Sequence, residues 1–300
     1  MPPPVLFDRA LLHMRRRRAA ALGPATFLID RVAQDLSERL AAVRRRFDVA
    51  VDLGTPTDAA RRAILDANDV GTIVAAGTAA ATSKHARVPS VVADEEALPF
   101  RDASFDLVVS ALALQFVNDL PGTLVQVRRA LKPDGLFLAA LAGGDTLTEL
   151  RQAFAVAETE IDGGVSPRVS PFADVREMGA LLQRAGFALP VADIDRIVVR
   201  YASPLALMHD LRRMGATNVL AARRRTRLRR ATLARLLRIY GERFADPDGR
   251  VRASFEIIWL SGWSPHETQQ QPLRPGSARA RLADALGTRE ISTGEKAGGD

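Results

Sequence analysis

Within the run VAVDLGTPTDAA, the apolar stretch Val49 to Leu53 carries Asp52 near its end, and Gly54 follows before a helical pattern begins. An acid and a glycine at the end of an apolar run are how a parallel sheet feeds a ligand site at its carboxyl edge. The carboxylate can accept hydrogen bonds from a ligand, and a residue without Cβ lets backbone approach it closely. Where such loops place a second and a third glycine, this chain has Pro56 and Asp58. Pro56 offers no N–H and brings a ring; Asp58 brings a bulkier anion. Thr55-Pro56-Thr57-Asp58 has instead the form of a helix start, with Thr55 as cap, proline at the first helical position and an acid three residues after the cap. A second acid, Asp94 in VVADEEALPF, follows another apolar run; by itself it could equally cap a turn.

Other chemistries lack their parts. The absence of cysteine removes disulfides, thiolate catalysis, thiolate zinc sites and iron–sulfur ligation, and points to a reducing, intracellular compartment. His13, His85, His209 and His266 form no metal-spaced pair, and His209-Asp210 and His266-Glu267 are single fragments of what a two-histidine, one-carboxylate iron site needs. No metal is expected. Serine nucleophile chemistry has no elbow motif to support it.

The elements that position Asp52 and Asp94 alternate. Apolar runs at Val49 to Leu53, Thr72 to Ala75, Ser90 to Val92, Phe105 to Ser110 and Gly135 to Ala140 are separated by helical patterns at Ala59 to Ala67 and Asp119 to Leu131, with a short Ala-rich turn or helix after Ala75. Alternation of this kind implies right-handed crossovers and a parallel sheet buried on both faces, so the fold class is α/β and Rossmann-like. Before it, Phe7 to Val43 reads as two amphipathic helices broken at Gly23-Pro24. After it, Leu147 to Glu160 and Asp174 to Ala185 are helical, the latter stopped by Gly186. Asp193 to Tyr201 and Ala253 to Leu260 read as late strands, an antiparallel closing pair that completes seven, with the arginine-rich Asn218 to Phe244 as helix between them. The resulting division is a helical lead-in over 1–44, one sheet domain over 45–287 with a helical insertion at about 203–250, and a polar, Gly-rich tail over 288–300 expected to be disordered.

The 300 residues carry a formal charge of +7, almost all of it arginine, because Lys84, Lys132 and Lys296 are the only lysines. In an Ala- and Arg-rich chain this reads as charge spread over solvated helix faces, Arg15 to Arg18 and Arg223 to Arg230 included, rather than a nucleic-acid footprint. No specific nucleic-acid partner is expected; docking to an acidic partner is the sharper reading of Arg223 to Arg230. The longest apolar runs, Leu107 to Val117 and Gly135 to Ala142, fall short of the ~18 to 20 residues that span a bilayer. The start lacks the apolar stretch of a secretory signal. Its arginines faintly suggest a transit peptide, but Asp8 and the run into the next helix favour a structural helix.

Asp52, Gly54 and Asp94, with LPF, FDLVVS and LKPDG, resemble the class I S-adenosylmethionine-dependent methyltransferases. The opening FDRALLHMRRRRAA, the segment from VVADEEALPF to LKPDG, GGDTLTELRQAFAVAETEIDGGVSPRVSPFADVREMGALLQRAGF and SGWSPHETQQQPLRPGSA narrow the resemblance. They are similar to the complex I assembly factor family and its bacterial relatives, near the malonyl-carrier-protein methyltransferases of biotin synthesis. This resemblance covers nearly the whole chain. It implies a seven-stranded methyltransferase sheet, S-adenosylmethionine as cofactor, and a protein substrate, with arginine hydroxylation on a respiratory complex I subunit as the chemistry reported for the family. It places the protein in the bacterial cytoplasm or, in a eukaryote, the mitochondrial matrix. By position, Asp52, Gly54, Asp94, Glu95 and Ser110 would be cofactor contacts, while Ala75-Ala76-Gly77 supplies no acid for the ribose. Gln115 stands where relatives often show His, and is a candidate catalytic residue with Asp145. Asp145 follows the fifth strand and could meet a guanidinium, or with Thr146 simply cap the helix at Leu147. Arg168, Ser170 and Pro171 lie in a loop that is either a lid or a plain connection. A pseudoenzyme that kept sheet and surface but lost the cofactor is the alternative implied by Pro56, Asp58 and the missing ribose acid.

Overall fold

The computed structural model describes residues 5–67, 70–77, 88–269, 284 and 287–289. Residues up to 265 form one compact unit; from His266 onward a second begins, of which His266 to Gln269 form a turn. The Ala-rich segment after β2, and nearly all of the expected tail, lie outside the described residues.

Seven strands form one sheet in the order β3-β2-β1-β4-β5-β7-β6. They are β1 (Phe47–Leu53), β2 (Val70–Gly77), β3 (Ser90–Val92), β4 (Phe105–Ala111), β5 (Leu131–Ala142), β6 (Ala188–Tyr201) and β7 (Val251–Trp263). The first five pair in parallel, and β7 pairs antiparallel with both β5 and β6. The alternation in the sequence is therefore a parallel sheet closed by the antiparallel pair. Strand order reverses between β1 and β4, which makes their carboxyl ends the place where such a sheet opens a crevice.

Helices α1 (Arg9–Ala21) and α2 (Phe27–Ala41) lead in, and α3 (Ala59–Ala67), α4 (Leu120–Ala130), α5 (Thr148–Asp162) and α6 (Val175–Arg184) follow their strands. Helices α7 (Pro204–Arg213) and α8 (Arg230–Phe244) lie between β6 and β7. Apolar side chains cover both faces of the sheet: Leu36, Leu107 and Trp259 belong to one core, Leu124, Phe137 and Leu182 to the other.

Three local expectations change. Helix α3 begins at Ala59, not Pro56: Thr57 Oγ1 accepts from the Ala59 N–H, the Arg62 N–H bonds the Asp58 carbonyl, and Thr55 instead uses its hydroxyl to accept from the Ala111 N–H. Thr55 thus serves the sheet, tying the β1 loop to the end of β4. Helix α8 begins at Arg230, because the stretch before it is recruited elsewhere: Leu220 forms a β-bridge with Phe7, Arg223 pairs with Asp8, and Arg224 pairs with Asp162. The Thr146 hydroxyl does not cap α5; it exchanges hydrogen bonds with the backbone of Glu256 on β7.

Candidate functional site

At the carboxyl end of β1, Asp52 is 1% exposed and its Oδ2 lies 2.6 Å from Nη1 of Arg61 on α3, itself buried. Burial pushes the Asp52 carboxyl up to about 6; the Thr55 hydroxyl and the Arg61 guanidinium pull the other way without overcoming it. Asp52 is thus a buried partner of α3 and faces no open cleft. Gly54 adopts φ +71°, and a Cβ there would lie 2.5 Å from Glu95 Oε1, so its bare backbone makes room for the Glu95 carboxylate. Ser110 is buried too, donating its hydroxyl to the Leu53 carbonyl at 2.8 Å.

The acidic turn after β3 is met by α1. Asp94 Oδ1 accepts from Arg9 Nη2 at 2.7 Å and from the Glu96 N–H, while Glu95, almost fully buried, also binds Arg9. The Asp94 side chain keeps 45% of its surface exposed. Asn118, after β4, clamps the entry to α1: its Oδ1 accepts from the Leu6 and Phe7 N–H groups and its Nδ2 donates to the Phe7 carbonyl. Arg9, His13 and Arg16 recur at i, i+4 and i+7, one face of the helix. Burial, with the positive neighbours Arg9 and Arg16, holds His13 below its usual value despite Glu95 and Asp94. Arg15 to Arg18 are accordingly not one wet face: Arg17 and Arg18 are exposed, Arg15 donates to the Asn218 carbonyl, and Arg16 turns inward.

Beyond Arg16 lies a cavity of about 180 Å³ at the carboxyl edge of the sheet. Its walls come from the α1–α2 junction, Pro56 and Thr57 after β1, Leu112, Gln115 and Phe116 after β4, Ala142 at the end of β5 with Thr146 and Leu147 beyond it, the loop that carries Arg168, Ser170 and Phe172, and the chain after α7. Gln115 is one of the lining residues. Its Nε2 donates to the Leu112 carbonyl at 2.9 Å, and its Oε1 is buried without a hydrogen-bond partner among the described residues. Arg168 and Ser170 also line the cavity. Arg168 is anchored from behind by Glu158, which is 0% exposed. Burial would raise the Glu158 carboxyl, but the Ser166 N–H, the Ser166 hydroxyl and Arg168 together hold it below the usual range. Asp145 is elsewhere: 59% exposed, paired with Arg196 at 2.8 Å, and absent from the cavity wall.

Arg16, Leu112 and Leu147 line the cavity without a mark in the sequence. Arg16 is hidden in a run of four arginines, where nothing distinguishes the inward one. Leu112 and Leu147 line the cavity with φ of 51° and 57°, a conformation that branched apolar residues seldom adopt and that sites use when the surroundings over-determine it. No residue-type signal marks them.

Whether these residues suit S-adenosylmethionine can be judged from their partners. Asp94 retains an exposed edge, and Gly77, the residue that ends β2, sits close to Gly54 and accepts from the Ala93 N–H. Arg16 lines the cavity, and its Nη2 is buried without a hydrogen-bond partner among the described residues. An acceptor at Asp94 and a donor at Arg16 suit a nucleoside bearing an amino-acid end, while Asp52 meets Arg61 through Oδ2 and keeps Oδ1 buried without a hydrogen-bond partner among the described residues. Among the described residues no group of three or more His, Asp or Glu side chains could hold a metal ion.

Residues 47–139 match the family model described as "Methyltransferase domain". The human mitochondrial arginine-hydroxylase NDUFAF5 is 40% identical over 93% of this chain and 83% of its own, and the zebrafish (Danio rerio) protein of the same name 36% over 93% and 89%. The malonyl-[acyl-carrier protein] O-methyltransferase of Halorhodospira halophila is 36% identical over 83% and 85%. Among solved structures, the BH2331 protein of Bacillus halodurans matches 78% of this chain and 100% of its own with a TM-score of 0.53 at 18% identity, a likeness of fold alone. A seven-stranded sheet with its crevice at the reversal of strand order, the methyltransferase match across that crevice and whole-length similarity to the arginine hydroxylases together show that the chain belongs to the class I S-adenosylmethionine-dependent methyltransferase superfamily, in the NDUFAF5 family.

Proposed function

We propose that this protein modifies an arginine side chain of a protein substrate during assembly of respiratory complex I, with the lined cavity as the site. The observation that carries the reading is similarity to arginine hydroxylases running through 93% of the chain, lead-in helices and cap included, rather than through the sheet alone. The cavity supports it: a mainly apolar wall can take the arginine stem, and Gln115 Oε1 presents a free acceptor to a guanidinium N–H. Its protein partner is a complex I subunit, met in the bacterial cytoplasm or the mitochondrial matrix.

S-adenosylmethionine, when bound, supplies a methyl carbon on a positively charged sulfur. In this chain Asp94 would hold its nucleoside part, with the Glu95 turn and the Gly54 backbone beside it. Gln115 orients the substrate group, its own amide fixed through the Leu112 carbonyl. Leu112 and Phe116 exclude water around it.

The test is genetic and chemical. Removing the gene from its source organism should abolish one modified arginine in a complex I subunit, read by mass spectrometry of the purified complex, and the wild-type gene should restore it. An unchanged arginine in the deletion strain would sink the reading. A second reading, an assembly factor without catalysis, has its own observation: Arg61 consumes Asp52, and Glu95 fills the space over Gly54. Complementation with Asp94→Asn and Gln115→Leu separates the two, since a catalyst loses the modification and an assembly factor restores complex I without it.

A further inference from the structure

We infer that the outer edge of β6 is an interface with a second copy of this chain, the two β6 strands pairing antiparallel into one continuous sheet. β6 stands last in the strand order, and among the described residues no strand pairs with its outer side. None of its residues from Ala188 to Arg200 is fully buried. An edge of this kind presents a row of unpaired N–H and C=O groups, which folded chains blunt with bulges, prolines or short strands. β6 has such devices at its start alone: Leu189 at φ 48°, Pro190, and a register shift between Ala188 and Val191. From Val191 to Tyr201 its pairing with β7 runs without a break, and the sequence there contains neither proline nor glycine. At ~3.4 Å per residue this leaves about 30 Å of open backbone.

The side chains along this edge select the partner. Ile194 and Val198 share a sheet face and stay 39% and 56% exposed. Charges that would repel a neighbouring strand are drawn aside: Asp193 pairs with Arg39, Arg196 with Asp145 and Glu256, and Arg200 with Asp246 and Asp248. The order of those charges also has a direction, Asp193 and Asp195 preceding Arg196 and Arg200. Antiparallel pairing of two copies sets the acidic half of one beside the basic half of the other, whereas parallel pairing in register sets like beside like. A two-fold axis through Ile197, perpendicular to the sheet, places Arg196 opposite Val198 and Ile194 opposite Arg200. Of the axes from Ile194 to Val198, it alone opposes no like charges, which directly across a ladder are destabilising. The same axis makes Val198 a diagonal neighbour of both Ile194 and Val198 in the second copy, gathering the exposed apolar pair of each chain into one cluster. A two-fold contact closes on itself and covers both edges at once.

The experiment is sedimentation velocity of the full chain from about 1 to 100 µM. The wild type should move with concentration from the 32.5 kDa monomer to twice that mass. Val198→Lys changes an exposed side chain, which a single chain tolerates, yet enters the interface twice, and should weaken the dimer about tenfold or more. Ile194→Lys should act in the same direction and serves if the first variant does not fold. Register is read separately. The chain has no cysteine, so Val198→Cys supplies its one thiol, and a short bismaleimide should join two such chains. Leu205→Cys, at a position 50% exposed on α7, should not be joined. A monomer throughout the range, a dimer that neither lysine weakens, or equal cross-linking at the two cysteines would overturn the inference.

Discussion

Asp52 shows how a residue type that suggests ligand binding can also serve architecture, through its pair with Arg61. Its carboxyl is raised from 3.8 to about 6 in the folded chain, so the folded state holds the proton more tightly than the unfolded one. The sign follows: the stabilising contribution is complete below about pH 4, is lost as pH rises through about 6, and is constant above. Asp52→Asn should remove that loss, so the difference in urea midpoint between wild type and variant should change between pH 4 and 6 and level off beyond. Replacing Arg61 by Met strands the carboxylate in the core and should cost about 3–5 kcal/mol. It should also move the Asp52 midpoint, followed by carboxyl NMR, above 6, because the guanidinium that lowers it is gone. Gly54→Ala meets both an unfavourable φ of +71° and the Glu95 carboxylate, and should destabilise by about 1–3 kcal/mol in urea unfolding. A neutral result there would show that Glu95 has room to withdraw. Asp52 and Gly54 were legible as a strand-end turn; that the acid faces a helix arginine and the glycine faces Glu95 was not, since the first needs α3 to pack back on β1 and the second joins segments distant in the chain.

At the scale of elements, α1 is held over the sheet edge by two kinds of contact. Arg9 supplies charge, and Asn118 supplies three hydrogen bonds to the backbone of Leu6 and Phe7. Asn118→Ala leaves two backbone N–H groups without that acceptor, at a cost of about 2–3 kcal/mol for the pair. Hydrogen exchange of Leu6 to Leu12 should speed up well ahead of the sheet in that variant; unchanged protection would mean that the Phe7–Leu220 bridge alone secures the helix. The segment from Gly163 to Asp174 is latched in a similar way, through Glu158 to the Ser166 N–H, the Ser166 hydroxyl and Arg168. Glu158→Gln, which keeps the volume and loses the charge, should release Arg168 and expose this loop to protease while leaving the sheet intact, read as a single early cleavage. The helices themselves were readable from their three-to-four spacing. The non-helical stretch 218–229 was not, because an arginine-rich run is a good helix former until Asp8 and Asp162 recruit its side chains elsewhere.

For the whole molecule, the sheet couples both cores. Alternate side chains of one strand enter opposite faces, so Leu136 and Phe137 on β5 belong to different cores yet share one backbone ladder. Residues 5–265 should therefore unfold in one step. Both tryptophans, Trp259 and Trp263, lie on β7, with Arg39 stacked 4.4 Å over the first, so their fluorescence reports on the closing strand while far-UV circular dichroism reports largely on the helices. The two urea transitions should coincide; a fluorescence change preceding the helical one would show that the β6–β7 closure melts separately. The positive charge is also organised at this scale. Many arginines form ion pairs, among them Arg200 with Asp246 and Asp248 and Arg235 with Glu160, which is why a net +7 does not amount to a continuous basic face.

The amino-acid sequence by itself determined the alternation of strand and helix, the closing pair, and the superfamily. Those are written in local periodicity and in motifs a few residues long, and periods of 2 and 3.6 survive without knowledge of any distant contact. Only the tertiary structure decided which acids are free and which are consumed, which of four consecutive arginines turns inward, and that Gln115 reaches the cavity while Asp145 does not. Each of these depends on how the elements pack, and a charge has no function until its partner is known: the same carboxylate is a ligand holder beside open space and a structural post beside a buried guanidinium.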